Sequence, residues 1–146
     1  MELSASLEDY IETIYHIVEE KQVARAKNIA DLMAVSRASV TEALRTLSSK
    51  GLINYAPYEV ITMTDLGREV AEDVIFRHNT LKNFFIEILT IDKEIAEDGA
   101  CKIEHSAPPE VISRMIDFMK FVDSCPQVDK GLINQFRAFV KNSGKC

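Results

Sequence analysis

A chain of 146 residues with 47% hydrophobic residues and only 5 glycines and 4 prolines can bury a core of ordinary size, and should be globular and mainly helical. It has no apolar run of the ~18 residues a membrane span needs and no basic-then-apolar N-terminal order, so a cytoplasmic protein with no membrane partner is expected. Three cysteines, Cys101, Cys125 and Cys146, form no C-x-x-C pair, which argues against a disulfide framework or a zinc ribbon and for reduced thiols. The net charge of -6 speaks against nucleic acid for the chain as a whole. Its distribution does not: residues 21–51 hold six basic against two acidic residues, while the segments on either side are acidic.

Ser6-Leu7-Glu8-Asp9 has the form of a capping box and predicts a helix start. Leu7, Tyr10, Ile11, Ile14, Tyr15 and Val18 follow at helical spacing, giving one buried stripe to about Lys21. Asp9 and Glu12 stand three apart, off that stripe. Taken alone they need do no more than cap and be solvated.

Residues 26–50 contain two short helical patterns, Ala26 to Met33 and Ser36 to Lys50, at helix-turn-helix spacing. The second presents Ser36, Arg37, Ser39, Thr41, Glu42 and Arg45 outward, short polar and basic groups able to enter a major groove. Gly51 ends it at a helix C-cap position. Leu52 to Tyr55 and Val60 to Met63 are short β-branched runs joined by Ala56-Pro57-Tyr58-Glu59, which reads as a hairpin. A helix-turn-helix with an appended hairpin is a winged helix, and residues 1–64 are assigned to a DNA-binding domain on that basis.

Residues 65–146 are assigned to a second, helical domain. Thr64 or Asp65 caps a long helix to about Leu89, with Leu66, Val70, Val74, Leu81, Phe85 and Ile88 as its stripe and His78 on the same stripe. After a loop, a short helix leads into Cys101-Lys102-Ile103-Glu104-His105. Side chains three and four apart share a helix face, so Cys101, Glu104 and His105 would present a thiolate, a carboxylate and an imidazole together, three transition-metal ligand types. Pro108-Pro109 starts a further helix with Ile112, Met115, Ile116, Met119 and Val122 inward, broken at Cys125-Pro126. A last amphipathic helix runs from Asp129 to Lys141 through Leu132, Ile133, Phe136 and Val140. This is more apolar surface than one winged helix needs, so a dimer surface is expected there.

Together these residues resemble the family of the diphtheria toxin repressor and the manganese transport regulator. Its most specific pieces are Leu7-Glu8-Asp9-Tyr10-Ile11-Glu12-x-Ile14-Tyr15, Arg77-His78 and Ile103-Glu104-His105, and the resemblance covers nearly the whole chain. It implies a winged helix, a helical dimerisation domain, operator DNA and a second copy as partners, and repression of metal-uptake genes by the metal-loaded dimer. It implies Asp9, Glu12, His78, Cys101, Glu104 and His105 as ligands to a divalent metal drawn from both domains, so that metal could clamp the two. Iron-responsive members typically carry Cys at the Cys101 position with Met at the Asp9 position, and manganese-responsive members carry Glu and Asp there; this chain is a hybrid. The soft thiolate favours Fe(II), with Mn(II) a close second because the carboxylates accept it. Lys82 and Glu97 stand where the iron branch holds Glu and His of a second, ancillary site, so that site is not expected here. The wing lacks a basic residue, and the third, SH3-like domain of longer members is not expected here.

The rivals are weaker. A winged helix gated by a small organic ligand predicts an apolar pocket and no metal requirement. An enzyme is not expected: the Glu-x-x-His pairs of a di-iron bundle, a phosphate loop and a nucleophile motif are all missing.

Overall fold

In a computed structural model, residues 3–125 and 131–144 are described. They form seven helices and one two-stranded ladder, and none of these helices is long and apolar enough to cross a membrane. The chain divides into two compact units, Met1–Phe76 and Arg77–Cys146. The division falls within a single long helix.

The first unit opens with α1, Ala5–Lys21. Its cap is Ser4 rather than Ser6, since the Ser4 hydroxyl accepts from the Leu7 amide at 3.4 Å. The expected capping box at Ser6 is therefore displaced by two residues, and Asp9 lies well inside the helix, with no cap to serve. The buried stripe holds Tyr10, Ile11, Ile14 and Val18 as expected, and also Ile17.

Helices α2, Ala26–Met33, and α3, Arg37–Ser49, make the helix-turn-helix. Their turn passes through Ala34 in the left-handed region, φ 54°, a conformation that costs a side chain about 1–2 kcal/mol and is held here by the Val35 amide on the Ala30 carbonyl. Val40, Leu44 and Leu47 are buried on one face of α3 against Ile11, Ile14 and Ile29. Each such side chain contributes about 1.5–3 kcal/mol by leaving water. At the end of α3 the amide of Gly51 (φ 73°) bonds the Ser48 carbonyl and that of Leu52 bonds the Leu47 carbonyl. This is the doubly bonded glycine-terminated helix end, so Gly51 has the role expected of it.

The hairpin is shorter than its sequence suggests. Strands β1, Ile53–Asn54, and β2, Thr62–Met63, pair antiparallel with Ile53 opposite Met63. Ile61 turns instead to Ala24, just ahead of α2, with bonds in both directions of 2.8 and 2.9 Å. That pairing ties the wing to the helix-turn-helix, and the segment before α2 gave no strand signal because it supplies a single bridging residue.

Helix α4, Asp65–Glu87, is capped by Thr64, whose hydroxyl accepts from the Gly67 amide at 3.0 Å and donates to the Gly51 carbonyl at 2.7 Å. One turn in, Gly67 lets the helix lie directly on the Leu52 backbone: a Cβ there would sit 1.9 Å from the Leu52 oxygen. The first half of α4 completes the core with Ala71, while Leu66, expected in the stripe, is exposed because it lies one residue from that contact on the outer side. Glu19 with Arg68 and Tyr15 with Glu72 link α1 to the same half of α4.

The second unit contains the rest of α4, α5 (Lys93–Ile103, capped by Asp92), α6 (Pro109–Ser124, with Pro109 in its first turn) and α7 (Gly131–Lys141). Its core is small: Leu81, Ala100 and Ile112 are buried, with Phe85, Met115 and Ile116 packed against them. Of the stripe expected on α6, Ile112 alone is fully buried; the expected start of the last helix at Asp129 and the break at Pro126 lie outside the described residues. Val111, Phe118, Phe121, Leu132, Phe136, Phe139 and Val140 are exposed, an apolar surface on α6 and α7 of the kind a dimer covers.

Candidate metal centre and nucleic-acid interface

The helix carrying the Cys101 stretch ends earlier than the sequence pattern implies. α5 stops at Ile103, Glu104 is its C-cap and His105 lies beyond it in a turn closed by the amides of Ser106 and Ala107 on the Ile103 carbonyl, both at 2.9 Å. The expectation that Cys101, Glu104 and His105 share one regular helix face is corrected accordingly. Pro108 and Pro109 could not carry a helix past Ala107, but the stop comes earlier, where the Ser106 amide tightens onto the Ile103 carbonyl. The consequence is separation by depth: Cys101 is exposed, whereas Glu104 is buried, at 1% exposure.

Glu104 is the centre of a cluster built entirely within the second unit. Its Oε2 faces Nδ1 of His78, from α4, at 2.5 Å. Its Oε1 is 3.4 Å from Nε2 of His105. The Arg77 guanidinium donates to the Glu104 main-chain oxygen at 2.8 Å, satisfying a carbonyl at the negative end of α5. The other face of the His78 ring, Nε2, is 2.8 Å from Oε1 of Glu97, and Oε2 of Glu97 is 2.9 Å from the Lys82 ammonium. The bond from Lys82, reinforced by the one from His78, holds the Glu97 carboxyl below the usual carboxylate range.

A carboxylate at 1% exposure beside two imidazoles fits a metal on chemical grounds. Burying a charge is costly unless a cation or hydrogen bonds meet it. A ring nitrogen and a carboxylate oxygen 2.5 Å apart hold together by sharing one hydrogen, and a divalent metal can take that hydrogen's place. Carboxylate oxygen with imidazole nitrogen suits Mn(II) and Fe(II).

Asp9 and Glu12 belong to the first unit, on α1. Both are half-buried, and Glu12 Oε1 lies 3.6 Å from His16 Nε2 one turn on. Glu97 was missed as a partner of His78 because no local spacing links residues on different helices. Lys82 pairs with it, so the two positions that differ from the iron branch are joined to each other.

On α3, Arg37, Ser39, Glu42 and Arg45 are exposed, and Thr41 is half-buried. Ser36 caps the helix: its hydroxyl accepts from the Ser39 amide at 3.1 Å and meets the Ser39 hydroxyl at 2.9 Å. The Thr41 hydroxyl donates to the Arg37 carbonyl at 2.9 Å, which leaves its oxygen to accept. The wing turns through Pro57 and Tyr58, with Tyr58 at φ 68° and the Glu59 amide on the Ala56 carbonyl.

A winged-helix unit with a polar and basic recognition helix, followed by a helical unit built around a buried carboxylate–imidazole cluster, defines a metal-responsive DNA-binding regulator. Residues 2–61 match the iron-dependent repressor N-terminal DNA-binding domain, and residues 64–132 match the iron-dependent repressor metal-binding and dimerisation domain. An uncharacterised helix-turn-helix transcriptional regulator of Methanocaldococcus jannaschii is 37% identical over 123 residues, 83% of this chain and 98% of that protein. The transcriptional regulator MntR of Bacillus pumilus is 34% identical over 118 residues, 81% of each chain. Among solved structures, a manganese-dependent transcriptional repressor in complex with manganese superposes with a TM-score of 0.71 at 26% identity, over 79% of this chain and 53% of that one. This chain thus spans about half the length of that repressor. The chain belongs to the iron-dependent repressor family of metal-activated, DNA-binding transcriptional repressors.

Proposed function

We propose that this protein represses metal-uptake genes in the cytoplasm as a homodimer that binds operator DNA when loaded with Fe(II), or, close behind, Mn(II). The observation that carries this reading is the buried Glu104 with His78 and His105 on its two oxygens. Glu104, His105 and His78 would hold the metal, with Asp9, Glu12 and Cys101 as the further ligands that the family pattern assigns. When bound, the metal supplies a positive charge that the buried carboxylate accepts. Ligands contributed by both units let it favour one arrangement of the chain by its differential affinity. Support for Mn(II) comes from the likeness to a manganese-dependent transcriptional repressor. Cys101 supports Fe(II), since thiolate is the one soft donor in the set.

The test is operator binding under metal control. A duplex selected from random sequence in the presence of Fe(II) or Mn(II) should lose about 5- to 150-fold in affinity when EDTA is added, the range of ordinary allosteric coupling. Equal affinity with EDTA and with metal would rule out gating by metal. The choice of metal is tested at Cys101: Cys101→Glu should move activation toward Mn(II) and weaken the response to Fe(II), read by anaerobic titration of DNA binding. An unchanged ranking of the two metals would remove Cys101 from the ligand set.

On the DNA side, Arg37 opens the recognition helix and is exposed. Arg37→Ala should weaken operator binding by about 1–3 kcal/mol if it reads a base edge. If it meets only phosphate, the loss should be equal on all sequences and the salt slope should fall. Unchanged affinity on every duplex would mean another face of α3 meets the DNA.

A further inference from the structure

The His78 ring is gripped on both sides, and only one grip belongs to the metal cluster. Nδ1 faces Glu104 at 2.5 Å, and Nε2 faces Glu97 at 2.8 Å. Glu97 is in turn tied by its second oxygen to Lys82 at 2.9 Å. Along the chain of contacts the side chains are exposed by 1% at Glu104, 13% at His78, 52% at Glu97 and 24% at Lys82, so Glu97 is the most exposed member. An exposed carboxylate is normally free to turn in water, and an isolated surface ion pair holds it weakly. Glu97 is instead held at both oxygens by groups that α4 carries one turn apart, while it stands itself on α5.

We infer that Glu97, anchored by Lys82, is a positioning residue that commits the Nε2 hydrogen of His78 and thereby leaves the Nδ1 electron pair to meet the hydrogen shared with Glu104, or the metal that takes that hydrogen's place. This rests on the metal reading above and adds to it the device that sets one ligand's tautomer and ring angle. The physical reason is general. A neutral imidazole has one donor and one acceptor nitrogen, and which is which follows from the hydrogen bond made by the outer nitrogen. A carboxylate there accepts from N–H, fixes the ring against rotation and makes the opposite nitrogen more basic. Lys82 enters because a carboxylate that could swing into solvent would fix nothing. Its ammonium holds Glu97 in place without touching the metal cluster.

The experiment uses the full-length protein, with Zn(II) as a diamagnetic probe. Long-range proton–nitrogen correlation spectra should show His78 in the wild type with its hydrogen on Nε2. Glu97→Ala should mix the two tautomers and lower Zn(II) affinity about 10- to 100-fold, the usual effect of removing such an outer partner. Glu97→Gln, whose amide oxygen still accepts from Nε2–H, should recover most of the affinity. Lys82→Met should lower it in the same direction but less. A purely structural role would lower the melting temperature of the metal-free variants and leave tautomer and affinity alone. Wild-type affinity with a single Nε2–H tautomer in both Glu97→Ala and Lys82→Met would overturn the inference. Failure of the wild type to bind Zn(II), Mn(II) or Fe(II) would instead overturn the metal reading, and the tautomer spectra of the metal-free variants would then decide the Glu97 role by themselves.

Discussion

Glu104→Gln should leave the metal-free protein folded and abolish its metal-dependent DNA binding. Glutamine keeps the length and shape of the buried side chain, and its amide can still donate to one ring nitrogen and present an oxygen to another group. No buried side-chain nitrogen or oxygen among the described residues lacks a hydrogen-bond partner, so an uncharged replacement of the same shape disturbs a fully satisfied cluster as little as any. What it removes is the anionic oxygen between His78 and His105. Outer partners of a metal ligand are worth about 10- to 100-fold in affinity, so loss of a carboxylate at the cluster's centre should cost at least as much. Isothermal titration with Mn(II) measures this, and thermal unfolding in EDTA serves as the control. Unchanged Mn(II) affinity in Glu104→Gln would reduce Glu104 to a buried hydrogen-bond partner of two histidines.

Gly67→Ala should destabilise the first unit by about 3 kcal/mol, at the upper end of what overpacking a core costs. The added Cβ would fall 1.9 Å from the Leu52 oxygen and 2.9 Å from its carbonyl carbon, and both are backbone atoms that no rotamer change can move. Helix propensity pulls the other way by about 1 kcal/mol, since glycine is a poor helix former. The clash wins because Leu52 is fixed from three sides: its amide on Leu47, its oxygen on the Thr64 amide and hydroxyl, and its side chain in the core. For a unit of this size the melting temperature should drop by about 4–8 °C per kcal/mol, read by circular dichroism of the whole chain. An unchanged midpoint would mean that α4 can lift off Leu52 at no cost. Because Leu52 joins α3 to the wing, the same substitution should also weaken operator binding.

Much of this protein is legible in its residue order. The helix-turn-helix followed from local signals: α3 matches its apolar periodicity, α2 buries Ile29 and Ala30 though Leu32 of the same pattern is exposed, Ser36 is a capping residue at the start of α3, and Gly51 takes the positive φ that glycine tolerates. Pro109 marked the start of α6 for the same kind of reason, its fixed φ and missing amide. Asp9, Glu12 and His78 are candidate ligands through the family resemblance, and Cys101, Glu104 and His105 through their spacing of three and four. Caps, periodicity and spacing are short-range features, decided by a residue and its neighbours within a turn.

What the sequence left open depends on atoms distant along the chain. α1 is capped by Ser4 rather than Ser6, and Leu3 and Leu7 on either side of that cap pack against the core, contacts that no four-residue pattern contains. Ile61 leaves its hairpin partner for Ala24 because a backbone edge happens to lie beside it. Nothing in the neighbouring residues requires glycine at position 67; the Leu52 carbonyl packed against it does. Glu104, His78 and Glu97 are spread over 27 positions and two helices, and only packing makes them one chain of hydrogen bonds. Side-chain chemistry and helical periodicity are properties of the local chain, so the sequence alone determines them. Burial, close approach and the partner of each charge are properties of space, and the tertiary structure alone decides those.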